Sequence, residues 1–148
     1  IDFSFMLQFN YGNDIYNATR LYATQTNTQR RNQLAEVADR WSPTNASNKV
    51  PRYNGYVVND VYSRFVEDGS FLRIKEVTLS YNIPRKWCKK AFLKSANVYI
   101  SGTNLLTWSK YSGYDPEVNT ATSAFIRGVD NGAFPKSRSY NLGVNLTF

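Results

Sequence analysis

Tyr140 to Phe148 reads YNLGVNLTF, with Tyr140, Leu142, Val144, Leu146 and Phe148 apolar and Asn141, Gly143, Asn145 and Thr147 small or polar. Alternation with a period of two marks a strand with one apolar and one polar face. The N-terminal stretch repeats the pattern: Phe3, Phe5, Leu7, Phe9 and Tyr11 share one parity, and Asp2, Ser4, Met6, Gln8 and Asn10 the other. Each stretch matches the ~9–11 residues that cross a bilayer as a tilted strand.

Two further strands lie between these ends. Ser70 to Asn82 carries Val77, Leu79 and Tyr81 on one parity, but Leu72 and Ile74 fall on the other, so a bulge or a change of environment is expected there. Ser95 to Trp108 is β-rich with imperfect alternation. The strands therefore lie near 1–11, 70–82, 95–108 and 136–148. A short basic turn, 83–94, joins the middle pair, and Pro84 stops the ladder there. The other two connections, 12–69 and 109–135, are long. Thr28 to Trp41 is a helical candidate in the first, with Leu34, Val37, Ala38 and Trp41 at helical spacing.

Alternating short turns and long loops are the pattern of an outer-membrane β-barrel, short on the periplasmic side and long outside. Aromatics at both strand ends fit the same scheme. With the C-terminus periplasmic, Tyr81 and Phe148 fall at the inner girdle, and Tyr11, Trp108 and Tyr140 at the outer one. Four strands do not close a barrel, since the smallest transmembrane barrels need ~8. The chain is therefore expected to be all-β and part of a larger antiparallel transmembrane barrel: about four strands, with a short helix in one loop.

Composition narrows the chemistry. The 148 residues suit one domain, with 42% hydrophobic and 20% charged residues. There is no His, so a His-based triad, a His metal site and a histidine general base are excluded. The single Cys88 forms neither an internal disulfide nor a Cys-rich zinc site. A net charge of +7 raises the question of nucleic acid. That reading needs cations interleaved with stacking aromatics, whereas here the main basic cluster and the loop aromatics belong to opposite strand ends. Arg85, Lys86, Lys89, Lys90 and Lys94 meet lipid headgroups or, on the plainer reading, form a solvated turn.

Six segments carry a resemblance. They are YGNDIYN (11–17), DRWSPTN (39–45), VPRYN (50–54), EDGSFLRIKEVTLSYNIP (67–84), NVYISGTNLLTWSKYSGYDPEV (97–118) and SRSYNLGVNLTF (137–148). In this order they closely resemble the C-terminal end of SusC/RagA-type TonB-dependent transporters of the Bacteroidetes outer membrane. The resemblance implies a multi-pass barrel in the outer membrane, with a plugged lumen, of the ~22-stranded transporter type. It implies import of oligosaccharides or peptides without covalent chemistry, a SusD-like lipoprotein as lid, outer-membrane lipid around the barrel, and energy from a TonB complex acting through a plug and TonB box that these residues do not contain.

The resemblance also gives the last strand a role. Tyr140, Leu142, Val144, Leu146 and Phe148 look like the barrel-assembly signal, needed because an open barrel edge cannot sit unpaired in lipid. The plainer account is an ordinary amphipathic strand ending in Phe. Substrate or lid contact falls to Trp41, Trp108, Tyr111, Tyr114, Asp115 and Phe125, because Tyr and Trp rings stack on sugars or grip apolar side chains. Girdle and loop-core roles compete for the same rings. No catalytic set and no cofactor are expected, and the carboxylate pairs Glu67–Asp68 and Asp115/Glu117 read as turn and loop residues. A calcium ion at Asp115, Glu117 or Asp130 lacks the twelve-residue loop pattern that would support it. The alternative function is a soluble all-β carbohydrate-binding module.

Overall fold

The computed structural model describes residues 1–26, 32–56, 60–118 and 127–148, which fall into two compact units. The first contains residues 1–11, 70–110 and 135–148, and the second residues 12–69 and 111–134.

The first unit is an antiparallel four-stranded sheet. Its strands are β1 (Asp2–Asn10), β4 (Phe71–Asn82), β5 (Ser95–Ser109) and β7 (Ser139–Thr147), in the order β1-β4-β5-β7. Asn10 lies opposite Phe71 and Phe71 opposite Ser109, so both long connections leave the same end of the sheet. The short connection closes the other end.

Register explains the phase slip of the sequence. Met6 pairs with Glu76, but Leu7 pairs with Ile74, leaving Lys75 as one extra residue on β4. On the far side Glu76 pairs with Thr103 and Ile74 with Leu106, so Asn104 and Leu105 bulge from β5, with Asn104 at φ 52°. A bulge changes side-chain parity. It brings Leu72 and Ile74 onto the face of Val77 and Leu79.

The result is one continuous apolar face. Its rows are Phe9, Leu72, Trp108; Leu7, Ile74, Leu106; Phe5, Val77, Gly102, Tyr140; Phe3, Leu79, Ile100, Leu142; and Tyr81, Val98, Val144. Tyr140 thus lies opposite Gly102, two rows short of Trp108, and not beside it as the girdle scheme expects. The other face carries Asp2, Ser4, Thr78, Ser80, Asn82, Asn97, Ser101, Asn141 and Asn145. Hydrogen bonds run across this face: Asn97 Nδ2 donates to Asn82 Oδ1 at 2.8 Å, and Asn82 Nδ2 to Asp2 Oδ2 at 2.8 Å. Tyr99 lies over Gly143, where a Cβ would overlap its ring.

The connection between β4 and β5 is more than a turn. It contains α2 (Arg85–Lys90), begun at Pro84, whose carbonyl accepts from the N–H groups of Trp87 and Cys88. It ends with Phe92 N–H donating to Lys89 O and Leu93 N–H to Cys88 O, the 5→2 and 6→1 bonds of a Schellman cap. Phe92 has φ 58°, a position where glycine is usual and a side chain costs roughly 1–2 kcal/mol.

The second unit has its own sheet and core, where the sequence reading shows only loops. β2 (Asp14–Asn17) is central, antiparallel to β3 (Val66–Asp68) and parallel to β6 (Val129–Asp130). Ile15, Tyr111 and Val118 pack with Ala133, and Leu21, Tyr56 and Phe65 with Tyr16 and Tyr62.

The helix of this unit is α1 (Ala18–Thr24), not the segment read as helical from Thr28 to Trp41. Asn17 caps α1, its Oδ1 accepting from Arg20 N–H at 2.8 Å, while Ala18 and Leu21 turn into the core. Residues 28–31 lie outside the described residues. From the rest only a 3-10 turn, Ala35–Asp39, forms, with Val37 buried and Leu34, Ala38 and Trp41 exposed. Its helical spacing is cut short because Trp41 N–H donates to Val50 O at 2.9 Å, and Arg40 bridges Val50 as extended chain.

Candidate functional site

The second unit is tied together by a polar knot. Arg20 grips Glu36 with two parallel bonds, Nε to Oε1 at 3.0 Å and Nη2 to Oε2 at 2.8 Å, and reaches Glu67 Oε1 with Nη1 at 3.3 Å. Planar guanidinium and carboxylate match in this geometry, which fixes direction as well as charge. Glu67 also accepts from Ser112 Oγ at 2.8 Å, Ser112 N–H at 2.9 Å and Asn17 Nδ2 at 3.2 Å.

A second knot centres on Asp130. Its Oδ2 accepts from the Tyr111 hydroxyl, and its Oδ1 from Thr19 Oγ1 at 3.1 Å and Ala133 N–H at 3.0 Å. Thr19 Oγ1 in turn accepts from Gly132 N–H at 2.7 Å. The two segments of this unit, 12–69 and 111–134, are thus joined by Glu67–Ser112 and by Thr19–Asp130.

The electrostatics follow from the contacts. Hydrogen bonding to Arg20 holds the Glu36 carboxyl below the usual carboxylate range, against the opposing effect of burial. Burial pushes the Glu67 carboxyl up, but the two bonds from Ser112 and those from Arg20 and Asn17 outweigh it and leave it lowered. The Tyr111 hydroxyl is raised far above the ordinary phenol, first by burial and then by its bond to Asp130. The Arg20 guanidinium is raised by its bond to Glu36.

The sequence-predicted contact residues part company. Trp41 is half-exposed and lines an open cleft of about 390 Å³ with Val50, Pro51, Arg52 and Arg64. Tyr114 is 81% exposed. Tyr111 is buried and its hydroxyl is committed to Asp130, so its ring serves the core of the unit. Asp115 is buried and its Oδ1 accepts from Glu117 N–H at 2.9 Å, an Asx turn. Trp108 stands on the apolar face of the four-stranded sheet. Phe125 lies outside the described residues. Among the described residues no three His, Cys, Asp or Glu side chains come together as metal ligands. Tyr140, Leu142, Val144 and Leu146 line the apolar face of β7, whose neighbour in the sheet is β5.

Sequence reasoning missed Arg20, Glu36, Ser112 and Thr19 altogether, and read Glu67 as a turn or loop residue. Their partners stand up to 113 residues apart, so no local pattern announces them. The Asn17-to-Arg20 cap is the one local signal. Also missed is Arg73, which is buried on the polar face of β4, its Nε donating to Thr107 Oγ1 at 2.9 Å.

Comparison with known proteins completes the site. No family model matches the chain. It is 39% identical over its whole length to TonB-dependent receptor P26 of Formosa agariphila, and 34% identical over 99% of its length to receptor P3 of that species. TonB-dependent receptor SusC of Bacteroides thetaiotaomicron is 32% identical over 57% of the chain. Among solved structures, the RagAB peptide transporter superposes over 99% of the chain with a TM-score of 0.83 and 26% identity. The chain spans 16% of the length of receptor P26 and 16% of the matched RagAB chain.

Proposed function

Because this chain belongs to the TonB-dependent receptor family, we propose that it forms the C-terminal part of a plugged outer-membrane barrel that actively imports oligosaccharides or peptides. TonB supplies the energy through a plug and TonB box elsewhere in the protein, and a SusD-like surface lipoprotein closes over the outer face. The step is binding and translocation, and no bond is made or broken in the cargo.

The observation that carries this reading is the continuous apolar face. Phe3, Phe5, Leu142 and Val144 are 57 to 77% exposed on it, opposite a face of Ser, Thr and Asn. In water a patch of this extent is an association hazard, whereas lipid is its natural solvent. Polar residues then line the lumen, where they meet water and cargo. β5 has 15 residues, beyond the ~9–11 that span the bilayer, so one end stands clear of the apolar band.

The end from which both long connections leave is the extracellular one, as long loops are in outer-membrane barrels. On this assignment Trp41 and Tyr114 are, of the contact rings read from the sequence, the two that the described loops leave exposed to cargo or lid. The alternating apolar residues of β7, Tyr140 to Phe148, serve as the assembly signal, since β7 offers an edge that must be captured before insertion. The soluble carbohydrate-binding module would need that apolar face covered.

Fractionation of cells that make the full-length protein tests the reading. A heat-modifiable outer-membrane band that copurifies with a surface lipoprotein, and whose cargo uptake stops when TonB is deleted, is the expected outcome. A water-soluble, detergent-independent protein would overturn it.

A further inference from the structure

We infer that the turn between β4 and β5 is a docking surface for anionic phospholipid headgroups, binding the membrane surface at the sheet end opposite the long loops. This rests on the barrel reading above. Arg85, Lys86, Lys89, Lys90 and Lys94 crowd into residues 83–94 without a single Asp or Glu. The ion pairs among the described residues, Arg20–Glu36, Arg20–Glu67 and Lys49–Asp39, leave all five without a carboxylate partner. At this end of the sheet Asp2 is engaged by Asn82.

Charge alone describes any solvated turn. The aromatic residues add a second, independent observation. Trp87 is 60% exposed and Phe92 is 92% exposed, and both sit among the cations. Phe92 occupies the left-handed position of the helix cap at φ 58°, where glycine is favoured. A bulky apolar residue that is both strained and solvent-facing contributes nothing to the folded chain by burial, and strain of this kind marks sites kept for a partner.

The surface is also preformed. Cys88 is 2% exposed and its thiol donates to Ile83 O at 3.5 Å. Ile83 N–H donates to Ala96 O at 2.9 Å, and Lys94 N–H to Thr147 O at 2.8 Å, which fasten both ends of the turn to β5 and β7. Rings such as Trp87 settle at the headgroup level of a bilayer, and Lys and Arg stems lie along apolar surface while their heads reach phosphate. Each cation near an anionic surface is worth roughly a fivefold preference over a neutral one.

The test uses the full-length transporter reconstituted in nanodiscs, with bromine-labelled phosphatidylglycerol or bromine-labelled phosphatidylcholine. The readout is the emission lost in Trp87→Phe, which isolates Trp87. Its quenching should be at least about twofold greater with the anionic lipid, and K86S/K89S/K90S should abolish that excess. Phe92→Gly should weaken the quenching while the melting temperature holds or rises, since it relieves the cap; a structural role alone would not separate the two. Equal quenching by both lipids, or an excess that survives the triple substitution, would overturn the inference. So would loss of the excess on adding inorganic phosphate at matched ionic strength, which would mean a site for a free anion. A protein that fails to enter the discs at all would instead overturn the barrel reading beneath it.

Discussion

At the scale of single residues, the two knots of the loop unit decide how it responds to acid. Glu36 and Glu67 are held below the usual carboxylate range, by Arg20 and by Ser112, Arg20 and Asn17 against burial. A carboxylate whose pKa falls on folding contributes stability above its unfolded value of about 4.3 and loses it as pH drops through the folded value. Amide protection in 12–26 and 60–69 of the full-length protein, taken relative to the intrinsic exchange rate at each pH, should therefore hold near neutrality and fall as pH drops below about 4. Protection that is lost instead as pH rises from neutrality would contradict the assignment. Tyr111→Phe leaves Asp130 with one buried acceptor unmet and should cost about 1–3 kcal/mol of local stability, read by the same method. Little of this was legible beforehand. The residue types were visible, but hydrogen bonds such as Asn17 to Ser112 join points 95 apart in sequence.

At the scale of elements, the strands were legible because their demand is local. A strand between lipid and water must alternate, and alternation is visible in any nine residues of β1 or β7. β4 broke phase at Ile74, and the extra residue Lys75 is the physical reason. Deleting Lys75 keeps Glu76 opposite Met6 and Ile74 opposite Leu7, so folded, heat-modifiable protein should stay near wild-type level. Leu79→Arg, on the apolar face, should cost about 2–4 kcal/mol if it lies near the bilayer midplane, and should lower that level sharply. A deletion that abolishes insertion beside a harmless Leu79→Arg would refute the facing of β4. Helices were less legible. The apolar spacing around Val37 is satisfied by a single 3-10 turn, because Arg20 and Val50 hold the chain on either side, through Glu36 and Trp41. α1 instead depends on its Asn17 cap and on burial of Leu21, in a stretch too short to show a period.

At the scale of the whole molecule, the chain comprises an amphipathic sheet and a loop unit with its own small core. Deleting Phe148 from the full-length protein should reduce its outer-membrane level if the alternating apolar residues of β7 guide assembly, and unchanged insertion would remove that role. The family was legible from motif order, whereas cargo was not, because the chain spans only 16% of the length of receptor P26. The central claim is that the apolar face meets lipid and the polar face meets the lumen. Nitroxide labels at Leu142→Cys and Asn141→Cys, in the reconstituted full-length protein, test it most directly through collisions with oxygen and with a water-soluble nickel chelate. The Leu142 label should collide chiefly with oxygen and the Asn141 label chiefly with the chelate. Equal access of the chelate to both labels would contradict it.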